Sequence, residues 1–419
     1  MTQKSSMLSA AEALDVLLAA VRPLQHAADV EQIPTLAANG RVLATAQVSQ
    51  LNVPPADNTQ MDGYAVRAVD CSSAQARLPV SQRIPAGHVG QMLQAGTAAR
   101  IFTGAMIPAG ADAVVMQEMC ELDKTADGDM VLVKHAPASG EWIRRAGEDI
   151  CSGSVILPAG TRLRAQHLGL AASVGLASLP VLRKLRVAVF FTGDELTMPD
   201  EPLKPGAIYN SNRFVLRGLL ENLGCEITDY GIVPDALDAT RETLRRAARQ
   251  HDLIITSGGV SVGEEDYVKP AVEAEGRLNM WQIAMKPGKP LAFGEVRRDA
   301  EGTPGTSAFF IGLPGNPVSS FVTFLLFVRP FILRLQGVTD VAPQAMTMRA
   351  DFVWPKADRR QEFLRAKINQ NGGLDLFPHQ GSGVLTSVVW GDGLIDNPAG
   401  QTIAAGDRVR FLPFSALLQ

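Results

Sequence analysis

The chain has 419 residues, 46% of them hydrophobic and 20% charged, with a formal net charge of −4. That length exceeds what one core serves and implies roughly three domains, while the composition excludes a disordered chain. The acidic balance argues against generic binding of nucleic acid or an anionic membrane, so any anionic ligand must be held by local lysines, arginines, backbone N–H groups or metal.

Ser9 and Glu12 read as a capping box opening an amphipathic helix that runs to about Val21, and the acids within it argue against a signal peptide. Arg41–Val53 alternates weakly and ends at Pro54-Pro55. Residues from about 54 to 147 are rich in glycine, proline and β-branched runs. They include a hairpin-like pair, Met119–Asp123 and Met130–His135, around Asp127-Gly128. A hairpin at Pro158–Gly160, a helix from about Ala165 to Val174 and an outgoing strand follow.

From Leu185 the rhythm becomes strand–helix–strand. Strands are expected at Arg186–Phe191, Glu226–Val233, Asp252–Ser257 and Ser307–Ile311. Helices are expected at Asn212–Leu223, Ala239–Gln250 and Pro317–Leu335, with a polar loop at Ala300–Thr306. This alternation predicts a doubly wound α/β sheet with a crevice at the carboxyl ends of its strands. The apolar run Val318–Val328 is too short to span a bilayer and reads as a buried helix. Beyond Val341 only short alternating strands remain, predicting a small β-barrel or sandwich. The four cysteines are scattered with no C-x-x-C pair, as expected of buried, reduced thiols in a cytoplasmic protein.

The chemistry concentrates at strand ends. In DLIITSGGVSVGEEDY, Gly258-Gly259 turns the chain out of a buried strand, Gly263 allows a second close approach, and Glu264, Glu265 and Asp266 follow. Such a turn offers backbone N–H groups to an anion, and acids beside it make sense with a divalent cation between. A plain strand-to-helix turn explains the glycines equally well. Glu195, in TGDE, sits at the crevice mouth. Asp235 follows the second strand, where helix capping is the simpler explanation. In MKPGKP, Lys286 and Lys289 sit on a stiffened loop and suit an oxyanion, although solvated lysines are common. In GLPGNP, Asn316 as N-cap and Pro317 at the first helical position explain helix initiation, and the same geometry aims free N–H groups at the crevice.

Together the motifs DNTQMDGYAV, FTGAMIPAGADAVVMQE, RRAGEDI, TGDEL, SGGVSVGEEDY, MKPGKP, GLPGNPVS and HQGSG closely resemble the molybdopterin molybdenumtransferase family, relatives of the gephyrin E domain, over essentially the full chain. Thr59-Gln60 and Phe191 depart from the family's usual residues, which touches loop packing and leaves every acid in place. The resemblance implies an α/β multidomain fold in four parts: a discontinuous domain of 1–50 plus 148–182, a β-rich lid at 51–147, the α/β domain at 183–338 and a C-terminal β-barrel at 339–419. It also implies a cytoplasmic homodimer whose active site lies between subunits.

The implied reaction inserts molybdenum from molybdate into adenylylated molybdopterin and releases AMP. By the same resemblance, Gly258, Gly259, Ser261 and Gly263 cradle phosphate, while Asp235, Asp266 and Glu195 hold Mg²⁺. Lys286, Lys289, Ser261, Arg365 and Ser382 form the molybdate pocket, with Pro314 and Pro317 beside the substrate. Asp62, Thr103 and Asp149 come from the partner subunit. Other proteins of molybdenum cofactor biosynthesis are expected as partners, and neither nucleic acid nor membrane. Two other classes stay open: an adenylyltransferase sharing the glycine turn, which needs only one α/β domain, and a peptide-binding scaffold.

Overall fold

The computed structural model describes residues 7–24, 27–73, 75–126, 128–259, 267–299 and 307–418. Ser261, Gly263, Glu264, Glu265 and Asp266, Asp127 and the whole expected 300–306 loop lie outside the described residues.

The first helix, Ala10–Ala19, opens with the expected reciprocal Ser9–Glu12 capping box. Val30–Pro34 then pairs antiparallel with Ser178–Leu182, and Gln47–Val48 with Val155–Leu157, so segments far apart in sequence share one small core around Leu43, Leu157 and Leu179. That pairing corrects the expected hairpin at Pro158–Gly160. Val155–Leu157 pairs back to the chain's beginning, and the turn is closed locally by the Thr161 hydroxyl on the Pro158 carbonyl. Between these segments, a six-stranded sheet runs in the order 113–116, 63–66, 98–101, 76–84, 128–133, 120–125. Its last two strands, Cys120–Thr125 and Gly128–Val133, are the expected hairpin.

The central sheet has the order 226–233, 186–192, 253–257, 307–313, 290–297, 276–282. Arg186–Thr192 and Leu253–Ser257 are buried along nearly their whole length, as strands covered on both faces must be. The first four strands are parallel, and their register aligns Thr192 with Val233, Phe191 with Ser257, and Ser257 with Leu313. All four carboxyl ends therefore open at one edge. The antiparallel pair Gly276–Gln282 and Pro290–Arg297, with the preceding helix Val268–Glu275, was not expected from the sequence.

Pro317–Leu335 is helical throughout, but a π turn at Phe324–Val328 separates two α-helical halves. Pro330 has no N–H for the carbonyl four residues back, the local defect that a π turn accommodates. By length and composition this helix could cross a membrane, yet 83% of its apolar window is buried inside the protein. It packs with Phe293, Phe309 and Leu291 in the largest core.

The C-terminal strands Met346–Arg349, Gln361–Ile368, Gly393–Asn397 and Arg408–Pro413 form a sheet joined at its edge by the two-residue strand Met285–Lys286. The short strand Leu374–Leu376 pairs with Gln361–Ile368, and one isolated bridge, Ala350–Leu374, links it back toward the far edge. Cys71 is buried, but Cys151 is exposed, which corrects the expectation of uniformly buried thiols. Burial pushes the Cys71 thiol up to about 11 and those of Cys120 and Cys225 up to about 12.

Candidate active site

At the carboxyl edge of the central sheet lies a cleft of about 810 Å³. Its floor is built where strands turn. Gly258 (φ +97°) and Gly259 (φ +64°) both adopt a left-handed backbone, and a Cβ on Gly258 would stand 2.7 Å from the Thr192 carbonyl oxygen. The strand ends are stitched together beneath it. The Asn212 amide donates to the Ser257 hydroxyl and to the Gly315 carbonyl, both at 2.8 Å, and the Ser257 hydroxyl donates to the Pro314 carbonyl at 3.0 Å. Among the described residues, these bonds leave the Asn212 Oδ1, the Asn210 Nδ2 and the Thr192 hydroxyl buried without a partner.

Two carboxylates enter from neighbouring strands. Glu195 lies just past Thr192 and Asp235 just past Val233, and both line the cleft. Asp235 does not cap the following helix. Ala236 is the N-cap of Leu237–Gln250 and makes no side-chain cap, so the capping explanation of Asp235 fails. Asn316, by contrast, takes its expected place at the start of its helix, with Pro317 following it in the first turn. It is the N-cap of Pro317–Thr323, but its side chain makes no capping bond, and the Val318 N–H goes to the Ser382 carbonyl at 2.9 Å. The helix start is thus occupied by the C-terminal loop, which brings Ser382 to the cleft and leaves the Asn316 side chain there for other work.

The Lys286–Lys289 loop forms the facing wall. Gly288 (φ +103°) is tightly seated, for a Cβ there would stand 2.4 Å from the Thr323 hydroxyl. Lys289 is exposed and has no ion-pair partner among the described residues. Lys286 differs: its ammonium lies 3.1 Å from Glu362 and 3.5 Å from Asp358. Arg360 also lines the cleft and holds Asp358 through its Nε and Nη2. The Arg360 bonds keep the Asp358 carboxyl well below the usual carboxylate range.

Arg365 is the main correction among the expected cleft residues. It is fully buried and does not line the cleft. Its guanidinium donates to the Ser387 hydroxyl, the Phe363 carbonyl and the Gly381 carbonyl, and burial lowers it to about 10. It lies in the run Glu362–Ala366 that is buried throughout, and there it braces the loop that carries Ser382. Arg360, just before that strand, supplies the cleft's guanidinium, and its only sequence signal is the charged run Asp358-Arg359-Arg360. Pro314, Pro317, Gly258, Gly259, Lys286, Lys289 and Ser382 all line the cleft as expected.

Asp62, Thr103 and Asp149 lie elsewhere, in a second cluster. Asn58–Thr59 pairs with Ile143–Arg144, and the Asp57 carboxylate accepts from the Ala146 N–H and from Arg145. Asp62 accepts the Thr103 hydroxyl at 2.6 Å and its N–H at 2.8 Å, and these bonds hold its carboxyl below the ordinary value. Asp149 is exposed, its N–H on the Val53 carbonyl. Three sequence motifs therefore converge here, but none of their residues lines the cleft of the same chain. Among the described residues no group of three histidine, cysteine or acidic side chains is placed to hold a metal ion.

Comparison with known proteins decides what this arrangement belongs to. Residues 8–175 match the family described as "MoeA N-terminal region (domain I and II)", 188–334 "Probable molybdopterin binding domain" and 347–414 "MoeA C-terminal region (domain IV)". The molybdopterin molybdenumtransferase of Haemophilus influenzae is 39% identical over 388 residues, covering 91% of this chain and 93% of that protein. The chain belongs to the molybdopterin molybdenumtransferase family. A second member, from Nostoc sp., is 36% identical, covering 97% of this chain and 94% of its own. The crystal structure of the molybdopterin biosynthesis MoeA protein from Pyrococcus horikoshii superposes with a TM-score of 0.82 at 30% identity, covering 97% of this chain and 100% of that one. As a molybdopterin molybdenumtransferase family member the chain is an enzyme, a transferase of molybdenum cofactor biosynthesis.

Proposed function

We propose that the cleft takes adenylylated molybdopterin together with molybdate and returns molybdenum cofactor and AMP. One observation carries this reading: a left-handed glycine turn, a two-lysine loop and the Ser382 loop face one another across a single cleft of about 810 Å³. The glycine turn suits the phosphoanhydride, since backbone N–H groups at a parallel strand's end favour anions. Lys289, Lys286, Arg360 and Ser382 suit a tetrahedral dianion, which needs several charge-assisted donors. The chemistry balances. Two thiols of the dithiolene displace one oxygen of molybdate as water, and one water is consumed when the anhydride P–O bond breaks to give AMP.

Asp235 and Glu195 offer hard oxygen donors from adjoining loops, a donor set that fits Mg²⁺, and Asp266 would add a third. When bound, the cation would neutralise charge on the anhydride oxygens. The chain's own groups do the rest: Gly258 and Gly259 position phosphate, and Lys289 and Arg360 draw molybdate to the cleft. The second cluster, Asp62 with Thr103 and the exposed Asp149, is proposed to meet this cleft from the partner in a cytoplasmic homodimer. Contacts with other cofactor-synthesis proteins belong to the same reading.

The test is AMP release from adenylylated molybdopterin. Release that depends on added molybdate supports the proposal. Release without molybdate, or none at all from folded dimer, refutes it. AMP addition to free molybdopterin from ATP would instead mark an adenylyltransferase.

A further inference from the structure

The two cleft lysines stand in different electrostatic settings, and the difference traces to one buried residue. Met285–Lys286 runs parallel to Gln361–Glu362, which places Lys286 directly beside Glu362 across the ladder. Glu362 is 1% exposed. Its Oε1 accepts from the Lys286 ammonium at 3.1 Å, and its Oε2 accepts from the Trp354 indole N–H at 2.8 Å and the Asn397 amide at 3.5 Å. Lys286 is its ion-pair partner within the described residues. A buried carboxylate needs such a set of donors in place of lost water, and it in turn dictates where the cation sits.

An ammonium has three N–H donors. With one turned to Glu362 and another toward Asp358, Lys286 keeps a single donor in a fixed direction for a ligand in the cleft. Lys289, exposed and without such partners among the described residues, brings charge without a fixed aim.

We propose that Glu362 is a positioning residue that aims the Lys286 ammonium at the oxyanion bound in the cleft. This rests on the function proposed above for the oxyanion being molybdate. Trp354 donates to the same carboxylate, so its fluorescence reports the state of the pair.

The test uses the whole chain as wild type, Glu362→Gln, Lys286→Ala and the double variant, with Trp354→Phe as a control. Near-UV circular dichroism and melting temperature check their folding. Molybdate binding is measured by calorimetry without pterin, and the molybdate concentration for half-maximal AMP release is measured at saturating pterin. Glu362→Gln is expected to weaken molybdate about tenfold, the scale of one charge-assisted donor, with little change in pterin affinity. In the Lys286→Ala background it should add nothing further, because a positioning residue acts only through what it positions. Molybdate should also change Trp354 emission in wild type, a change lost in Lys286→Ala and absent in a Trp354→Phe control.

Additive losses, equal losses for pterin and molybdate, unchanged molybdate dependence, or a wild-type chain that binds no molybdate would each overturn the proposal. Should Glu362→Gln not fold, Trp354→Phe removes only one bond to Glu362 and should weaken molybdate about twofold, again only when Lys286 is present; no such coupling overturns it. AMP release and the coupling in calorimetry are separate readouts. A wild type without AMP release but with intact coupling rejects the reaction and keeps the positioning role, and the reverse result rejects the positioning role alone.

Discussion

The cleft and the second cluster solve opposite problems with the same residue types. In the second cluster the carboxylates close on their own neighbourhood: Asp62 is taken up by Thr103, and Asp57 by Ala146 and Arg145. In the cleft the charged groups come from four loops and one neighbouring sheet, and polar atoms of Asn210, Asn212 and Thr192 have no partners among the described residues. Unsatisfied buried polar groups cost stability, and three residues that carry them among the described residues line the cleft, where a ligand can meet them. Acids alone do not identify a site; where they stand relative to the cleft and its cations says more.

The largest expected effect tests the cleft side of that contrast. Asp235→Asn, or a chelator with the wild-type chain, should lower AMP release by about a hundredfold, the scale of removing a strong electrostatic contributor. Unchanged turnover in both would remove Asp235 from the chemistry. Next in size, Lys289→Ala should raise the molybdate needed for half-maximal rate by roughly ten- to thirtyfold, as loss of one charge-assisted donor would. Arg365→Lys should instead lower the melting temperature while leaving the molybdate requirement close to wild type, because its buried bonds brace the Ser382 loop. A shift in molybdate requirement alone would return Arg365 to the cleft.

A further test joins the two regions. Mixed dimers of an Asp62→Ala chain with a Lys286→Ala chain should regain one working site of the two, about half the wild-type rate per dimer. Mixed dimers that form yet stay inactive would separate the second cluster from the cleft. The smallest effect is a titration. Asp62 is held below its ordinary value in the folded chain, so its contribution to stability is full above the unfolded value and fades as pH falls through the folded one. Thr103→Val should move the Asp62 carboxyl resonance midpoint upward in NMR; an unmoved midpoint would show that Thr103 does not set it.

Much of this was legible because it is local. Ser9 and Glu12 announce their capping box within one turn, and Gly258, Lys286 and Ser382 sit in motifs at element ends, where sequence marks chemistry. What escaped was decided by distant partners. The Asp235 capping reading failed because Ala236 occupies that helix start, and Asn316, though the N-cap, leaves its side chain out of the cap while the Ser382 carbonyl takes the Val318 N–H. Arg360 precedes the strand and Arg365 sits in its middle, where both faces are buried, a difference that only tertiary packing reveals. The hairpin of Gly276–Gln282 with Pro290–Arg297 depends on pairing across the cleft loop, which local patterning does not encode.

The π turn at Phe324–Val328 has a geometric consequence for the helix that carries it. One surplus residue in a turn advances the side-chain phase by about 100° relative to an unbroken α-helix of 3.6 residues per turn. Pro317 and Ser319 can therefore point into the cleft while Arg329, a few turns on, reaches the carbonyls of Val341 and Ala416 at the chain's far end. Had the helix kept its ordinary pitch, facing the ligand with one half would have swung the other half away from its anchors. The extra residue works as a phase shifter, letting one rod keep two appointments on different sides of the molecule.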